Sequence, residues 1–228
     1  MLKQFVSALA GGVMIAIGGT VFLNAYLTTQ VSYVGAFFFA VALVCISMKG
    51  YGLFTDRIGY LPDNRTKDEL LGAAVTLLGN FVATFLIGAL LYYCFPKSIG
   101  LIAGSMMDAK LETAWYATLV RAVLCGILMY LGASIYREKN SVLGVVFCAP
   151  SFILAGFEHS IADMFYYAAA GFVGGFRGFA LLLLIVVGNA IGAMLLPVMA
   201  WAGKKAPRGD EETEPEFEVE VVTEGDGE

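Results

Sequence analysis

The chain has 228 residues, 59% of them hydrophobic and only 14% charged, where a soluble domain runs at roughly 45–50% apolar and about 25% charged. That excess cannot be hidden in one small core, because a domain of this size keeps a large wet surface, so a water-soluble globular protein is excluded. The net charge of −5 misleads about the body: ten of the nineteen acidic residues lie in residues 210–228, and residues 1–205 hold thirteen Lys and Arg against nine Asp and Glu, a balance of +4.

In chain order, the apolar residues come in blocks of about 20, the length a helix needs to cross the hydrocarbon layer. Residues 5–27 form the first predicted span. It is too long for a signal peptide, and no small-x-small site leads into a polar mature start. The second span covers residues 34–54, with a polar interruption after Met48, and the third covers 70–95. A polar connection carrying Lys97 and Lys110 leads to the fourth span, 114–135. The fifth, 142–170, is interrupted between Pro150 and His159, and the sixth covers 179–201. Residues 206–228 form an acidic tail with too little apolar surface to fold alone, and it is expected to be disordered.

Six spans put both termini on one side of the membrane. That side holds Lys3, Arg57, Arg65, Lys67, Arg137, Lys139, Lys204, Lys205 and Arg208; the other holds Lys97, Lys110 and Arg177. Nine against three makes it the cytoplasmic side, in a multi-pass protein of a bacterial-type inner (plasma) membrane.

The two sets of three spans match. The second span of each is broken, at Gly50-Tyr51-Gly52-Leu53-Phe54-Thr55 and from Pro150 to Gly156-Phe157-Glu158-His159. The third of each carries a Gly-Asn pair, Gly79-Asn80 and Gly188-Asn189. Three spans per half requires the halves to be inverted, and inverted repeats with paired broken helices mark a transport pathway. Backbone at such breaks must face protein or a watery cavity, because lipid offers it no hydrogen bonds.

His159 is the single histidine, beside Glu158 in a predicted span. Intramembrane ionisable residues are costly and usually functional, and imidazole titrates in the working pH range. Glu158 either ties down the broken backbone or pairs with a cation. Thr55, at the other break, either donates a hydrogen bond to an anion or to His159, or caps a half-helix. Lys110 either draws anions towards a mouth or snorkels, and Lys49 and Arg121 pair or snorkel. The four cysteines, Cys45, Cys94, Cys125 and Cys148, show no metal or disulfide spacing. With no enzyme signature and one histidine, the chain is not read as an enzyme, and neither cofactor nor metal is implied.

The string Gly156-Phe157-Glu158-His159-Ser160-Ile161-Ala162-Asp163-Met164 resembles the formate/nitrite transporter family, whose pattern there is GFEHSxANM; Asp163 replaces asparagine. Leu53-Phe54-Thr55 is similar to the family's LFTGN loop, with Asp56-Arg57 in place of Gly-Asn. Arg121 to Gly126 resembles RGILCN, with glycine for asparagine, and the Gly-Asn pairs and Ala8 to Gly12 also match. The resemblance covers residues 5–202 and implies an aquaporin-like fold in a homopentamer, with one pore per protomer. It further implies apolar constrictions around a central histidine and threonine, with Phe39, Leu43 and Phe152 lining the pore and Leu53 and Phe54 in a loop closing the cytoplasmic side. Lys110 corresponds to the family's outer lysine, across a connection of different length.

The expected architecture is therefore an all-α membrane protein of six transmembrane helices in two inverted three-helix repeats, aquaporin-like, with broken second and fifth helices. The channel domain is expected over residues 1–205. A free carboxylate pays a large desolvation cost in an apolar constriction, and a neutral acid far less. The expected function is a channel or transporter for small monovalent weak-acid anions, formate first. His159, held by Thr55, gives the anion a proton or a strong hydrogen bond. The partners are that anion, lipid, four further copies of the chain and, under proton-coupled transport, protons; nothing points to nucleic acid. The alternatives are a hydrosulfide or nitrite channel on the same scaffold, and a non-conducting membrane sensor.

Overall fold

A computed structural model describes residues 1–205, and the expectation for the acidic tail lies outside the described residues. The chain runs through nine helices there: α1 Leu2–Thr29, α2 Ser32–Lys49, α3 Phe54–Arg57, α4 Lys67–Cys94, α5 Lys97–Glu112, α6 Trp115–Lys139, α7 Leu143–Leu154, α8 Ser160–Ala169 and α9 Gly175–Lys205, with a 3-10 turn at Ile58–Tyr60. Among the described residues, five helices are long and apolar enough to cross a membrane: α1, α2, α4, α6 and α9. The predicted fifth span is split into α7 and α8, of 12 and 10 residues, each too short to cross alone at 1.5 Å per residue.

Large apolar side chains such as Phe37, Phe38, Leu86, Val120 and Val187 point outward. The interior holds large apolar side chains such as Phe39, Phe165, Ile15 and Leu23, with small residues and a few polar ones where helices meet most closely. Without a hydrophobic driving force between helices in lipid, tight backbone approach has to hold the bundle together. In the first half α1 lies against α4: a Cβ on Gly12 would come 2.8 Å from the Asn80 carbonyl oxygen, and one on Gly79 would come 2.9 Å from that of Phe5. In the second half α6 lies against α9 in the same way, where a Cβ on Gly126 would stand 2.3 Å from the Asn189 carbonyl oxygen. Gly126, which stands where the family's string has asparagine, is thus the counterpart of Gly12 in a closely packed pair.

The halves interlock. Helix α8 packs across on α4 of the first half, the turn at Ile58–Tyr60 packs on α9 of the second, and α2 meets α7 at the seam.

Helix α5 was read as a polar connection from the sequence. Its buried residues Ile99, Ala103 and Met107 recur every fourth position, and the helix packs on α8. Lys110 is one turn further along the same face, and so short an apolar stripe does not stand out as a block of span length.

Candidate functional site

Both breaks are built from the same parts. Helix α2 stops at Lys49 because Gly50 takes a left-handed conformation, φ 65°, and α7 gives way at Gly156, φ 67°. In each case the amide just after the glycine bonds back to a carbonyl in the helix's last turn: Tyr51 N–H to Ile46 at 3.0 Å, and Phe157 N–H to Phe152 at 2.9 Å. This is the Schellman closure that glycine at a helix end permits.

Beyond the glycines the chain runs extended, at Leu53 and at His159, and its polar groups need partners in a medium without water. An asparagine supplies them in each half. Asn80 donates to the carbonyls of Ala8 (2.7 Å) and Gly52 (2.9 Å) and accepts from Phe54 N–H (2.9 Å). Asn189 donates to the carbonyls of Ala122 and Glu158, both at 2.8 Å, and accepts from Ser160 N–H at 2.7 Å. Both asparagines are fully buried. The Gly-Asn pairs seen in the sequence as marks of a repeat are therefore clamps. They also fix the register between halves: Gly52 answers to Glu158, Leu53 to His159 and Phe54 to Ser160.

His159 and Thr55, predicted from opposite halves, meet. Thr55 Oγ1 lies 3.3 Å from His159 Nε2, and both residues are buried. The other ring nitrogen, Nδ1, accepts the Ala162 N–H at 3.2 Å and so caps α8. An Nδ1 that accepts carries no proton, which puts the ring proton on Nε2, donating to Thr55 Oγ1. The threonine's own hydrogen is then free to donate elsewhere.

Phe152 stacks on the imidazole, ring centres 5.3 Å apart, and Phe39 stands edge-on to Phe152 at 6.1 Å. Phe39, Phe152 and His159 line a cavity of about 130 Å³ on the α5 side, together with Phe22, Lys110 and Asp163. Leu43 is buried one turn along α2 and faces a smaller void shared with Asp56 and Met129. Leu53 and Phe54 are buried, Leu53 in the segment before α3 and Phe54 at its start. Leu53 borders a larger cavity of about 730 Å³ that opens among Lys3, Ser7, Asp56, Arg57 and Arg137. None of the residues lining this cavity lines the cavity of about 130 Å³ beside His159. Thr55 stands between them, bonded to His159 of one and flanked by residues that border the other.

Lys110 does not snorkel: its side chain is 17% exposed and its ammonium binds two carboxylates at the cavity beside His159. One is Glu158, in close contact; the other is Asp163, at 2.9 Å. Of the two readings of Glu158, the pairing with a cation describes its side chain, and its backbone carbonyl is held by Asn189. Asp163 escaped the sequence reading as a site residue because its partner sits 53 positions away on a helix that the hydropathy did not reveal. At the other break, Arg57 pairs with Glu69 at 2.7 Å at the half-exposed edge of the large cavity. Among the described residues no group of three His, Cys, Asp or Glu side chains is arranged to hold a metal ion.

Known proteins share this fold. Two solved channels superpose on most of the chain: a pentameric formate channel with formate bound, at TM-score 0.70 and 20% identity over 89% of this chain and 96% of that one, and an ion channel of the FNT family, at TM-score 0.76 and 23% identity over 89% and 90%. A probable formate transporter of Methanothermobacter thermautotrophicus is 26% identical, over 72% of each chain. The uncharacterized transporter YrhG of Bacillus subtilis (strain 168) is also 26% identical, over 71% of this chain and 67% of its own. The formate/nitrite transporter family profile matches residues 1–202, so the chain belongs to the formate/nitrite transporter family.

Proposed function

We propose that this protein conducts small monovalent weak-acid anions, formate foremost, through a pathway inside each protomer that passes Thr55 and His159. The observation that carries the reading is the pairing of these two buried side chains between two separate cavities. It leaves one hydroxyl hydrogen free in a passage whose apolar walls are Phe39, Leu43, Phe152, Leu53 and Phe54. An anion arriving from either cavity loses its water there, and a hydrogen bond from Thr55, backed by His159, replaces part of it.

Protonation then completes the crossing, because the neutral acid passes the apolar rings at far lower cost. Of the two roles foreseen for the imidazole, the geometry favours hydrogen bonding over proton donation. A second ring proton would sit on Nδ1, against the Ala162 N–H it now accepts.

In this reading the protomers form a homopentamer in a bacterial-type plasma membrane with both termini in the cytoplasm, which puts the basic residues of the larger cavity, Lys3, Arg57 and Arg137, on the inner side. The acidic segment, residues 206–228, is assigned no part in the pathway.

The test is flux into proteoliposomes with a panel of formate, acetate, lactate, nitrite and hydrosulfide. Formate is expected to pass fastest. His159→Asn is expected to lower its flux about tenfold, the equivalent of ~1.4 kcal/mol, because Thr55 loses the hydrogen bond that holds its hydroxyl in place. Formate flux unchanged in His159→Asn would remove the histidine from the pathway, and no flux of any of the five would remove the transport reading.

A further inference from the structure

We propose that Asp163 is a proton-carrying carboxyl of the cavity beside His159: it shares one exchangeable proton with Glu158, and the permeating anion takes its proton there. The argument starts from a count of charge. One ammonium, Lys110, serves two carboxylates, Asp163 and Glu158, whose side chains are each only 3% exposed. One carboxylate balances the lysine; the second needs a positive partner or a proton, since a bare buried charge is far too costly.

Among the described residues, no second cation faces the pair. Helix α5 contributes Lys110 alone, and the buried residues of α1, α4 and α9 carry no titratable group. Tyr166 on α8 and Cys125 on α6 feel the Asp163 charge, but both are acids and would add negative charge on ionising. His159 has both ring nitrogens engaged, with Ala162 and with Thr55. Two carboxylates that share a site hold one proton between them.

The atom that carries it is identifiable. Asp163 Oδ1 is held by Lys110 at 2.9 Å, whereas Asp163 Oδ2 is buried and has no hydrogen-bond partner. Asp163 lines the same cavity as His159. A proton on Oδ2 makes the triad neutral, and loss of that proton leaves it at −1. The delivery step rests on the transport reading above; the proton-holding itself does not. In delivery, the Oδ2–H bond breaks and a bond forms from that proton to the anion's oxygen, leaving the Asp163 carboxylate and a neutral acid. Water on the α5 side returns the proton. Asparagine, which the family string has at this position, holds no such proton, so this step would be particular to chains with an acid at position 163.

Infrared difference spectroscopy of the full chain in lipid, stepped in pH, tests the proton directly. One protonated-carboxyl C=O band that titrates is expected in the wild type and in His159→Asn. It is expected to be lost in Asp163→Asn. Glu158→Gln is the second variant: with one carboxyl against one ammonium, it too is expected to lose the band. A band that survives in Asp163→Asn, or none in the wild type, overturns the proposal. In formate flux, Asp163→Asn is expected to shrink the ratio of acid to alkaline rates, and an unchanged ratio overturns the delivery step. A wild type that shows the band yet carries none of the five anions overturns the transport reading and leaves the Asp163 proton standing.

Discussion

The break after α2 and the break after α7 are the same device carrying different chemistry. Each begins with a left-handed glycine, closes its helix by the same backward hydrogen bond and is clamped by one buried asparagine through three backbone groups. At equivalent positions, however, the first break carries Gly52 and Leu53, and the second carries Glu158 and His159. The common parts satisfy backbone that lipid would leave unpaired; the Glu158 carboxylate serves no such need, and His159 adds to its cap on α8 a contact with Thr55 across the halves. Scaffold is therefore shared by the two halves, and the buried Glu158 and His159 belong to one.

The largest effect should come where the halves differ most. Lys110 has no counterpart at the first break. Lys110→Met would leave Glu158 and Asp163 buried without their cation and is expected to cost about 3–5 kcal/mol, read as equilibrium unfolding in mixed detergent. A cost near zero would mean that the triad is held by something other than charge.

The clamps should break alike. Asn80→Ala and Asn189→Ala each remove three hydrogen bonds from buried backbone groups, at roughly 1 kcal/mol apiece, so about 3 kcal/mol is expected for either. A large difference between the two variants would deny that the scaffold is symmetric.

Function should separate from scaffold at Thr55. Thr55→Val keeps the shape and removes the hydroxyl that faces His159. Formate flux is expected to fall about tenfold, the equivalent of one charge-assisted hydrogen bond, with little change in melting.

The smallest effect is at the glycines that open the breaks. A Cβ on Gly50 or Gly156 meets nothing within 4 Å, so Gly50→Ala and Gly156→Ala carry only the strain of a positive φ, about 1 kcal/mol each. Unequal melting shifts would show that one break moves and the other does not.

Much of this was legible in the chain. Hydropathy located the five long helices, because each residue facing lipid is apolar by necessity, and glycine with a polar interruption located both breaks. The string around His159 marked the site, and Thr55 was picked out as its facing residue. What the sequence left undecided involves partners distant along the chain. It offered two readings each for Glu158 and Lys110, and Asp163 appeared only as a departure from a pattern. Their joining into one buried triad follows from α5, whose short apolar stripe of Ile99, Ala103 and Met107 is too sparse to read as a span, and which folds back on α8. The two asparagines were visible as a repeat, but their role was not, since a side chain that replaces missing backbone hydrogen bonds leaves no periodic trace. Apolar length is a local property, so the sequence by itself determined where helices form. Charge balance is a property of what meets in space, so only the tertiary structure decided that one lysine must serve two acids.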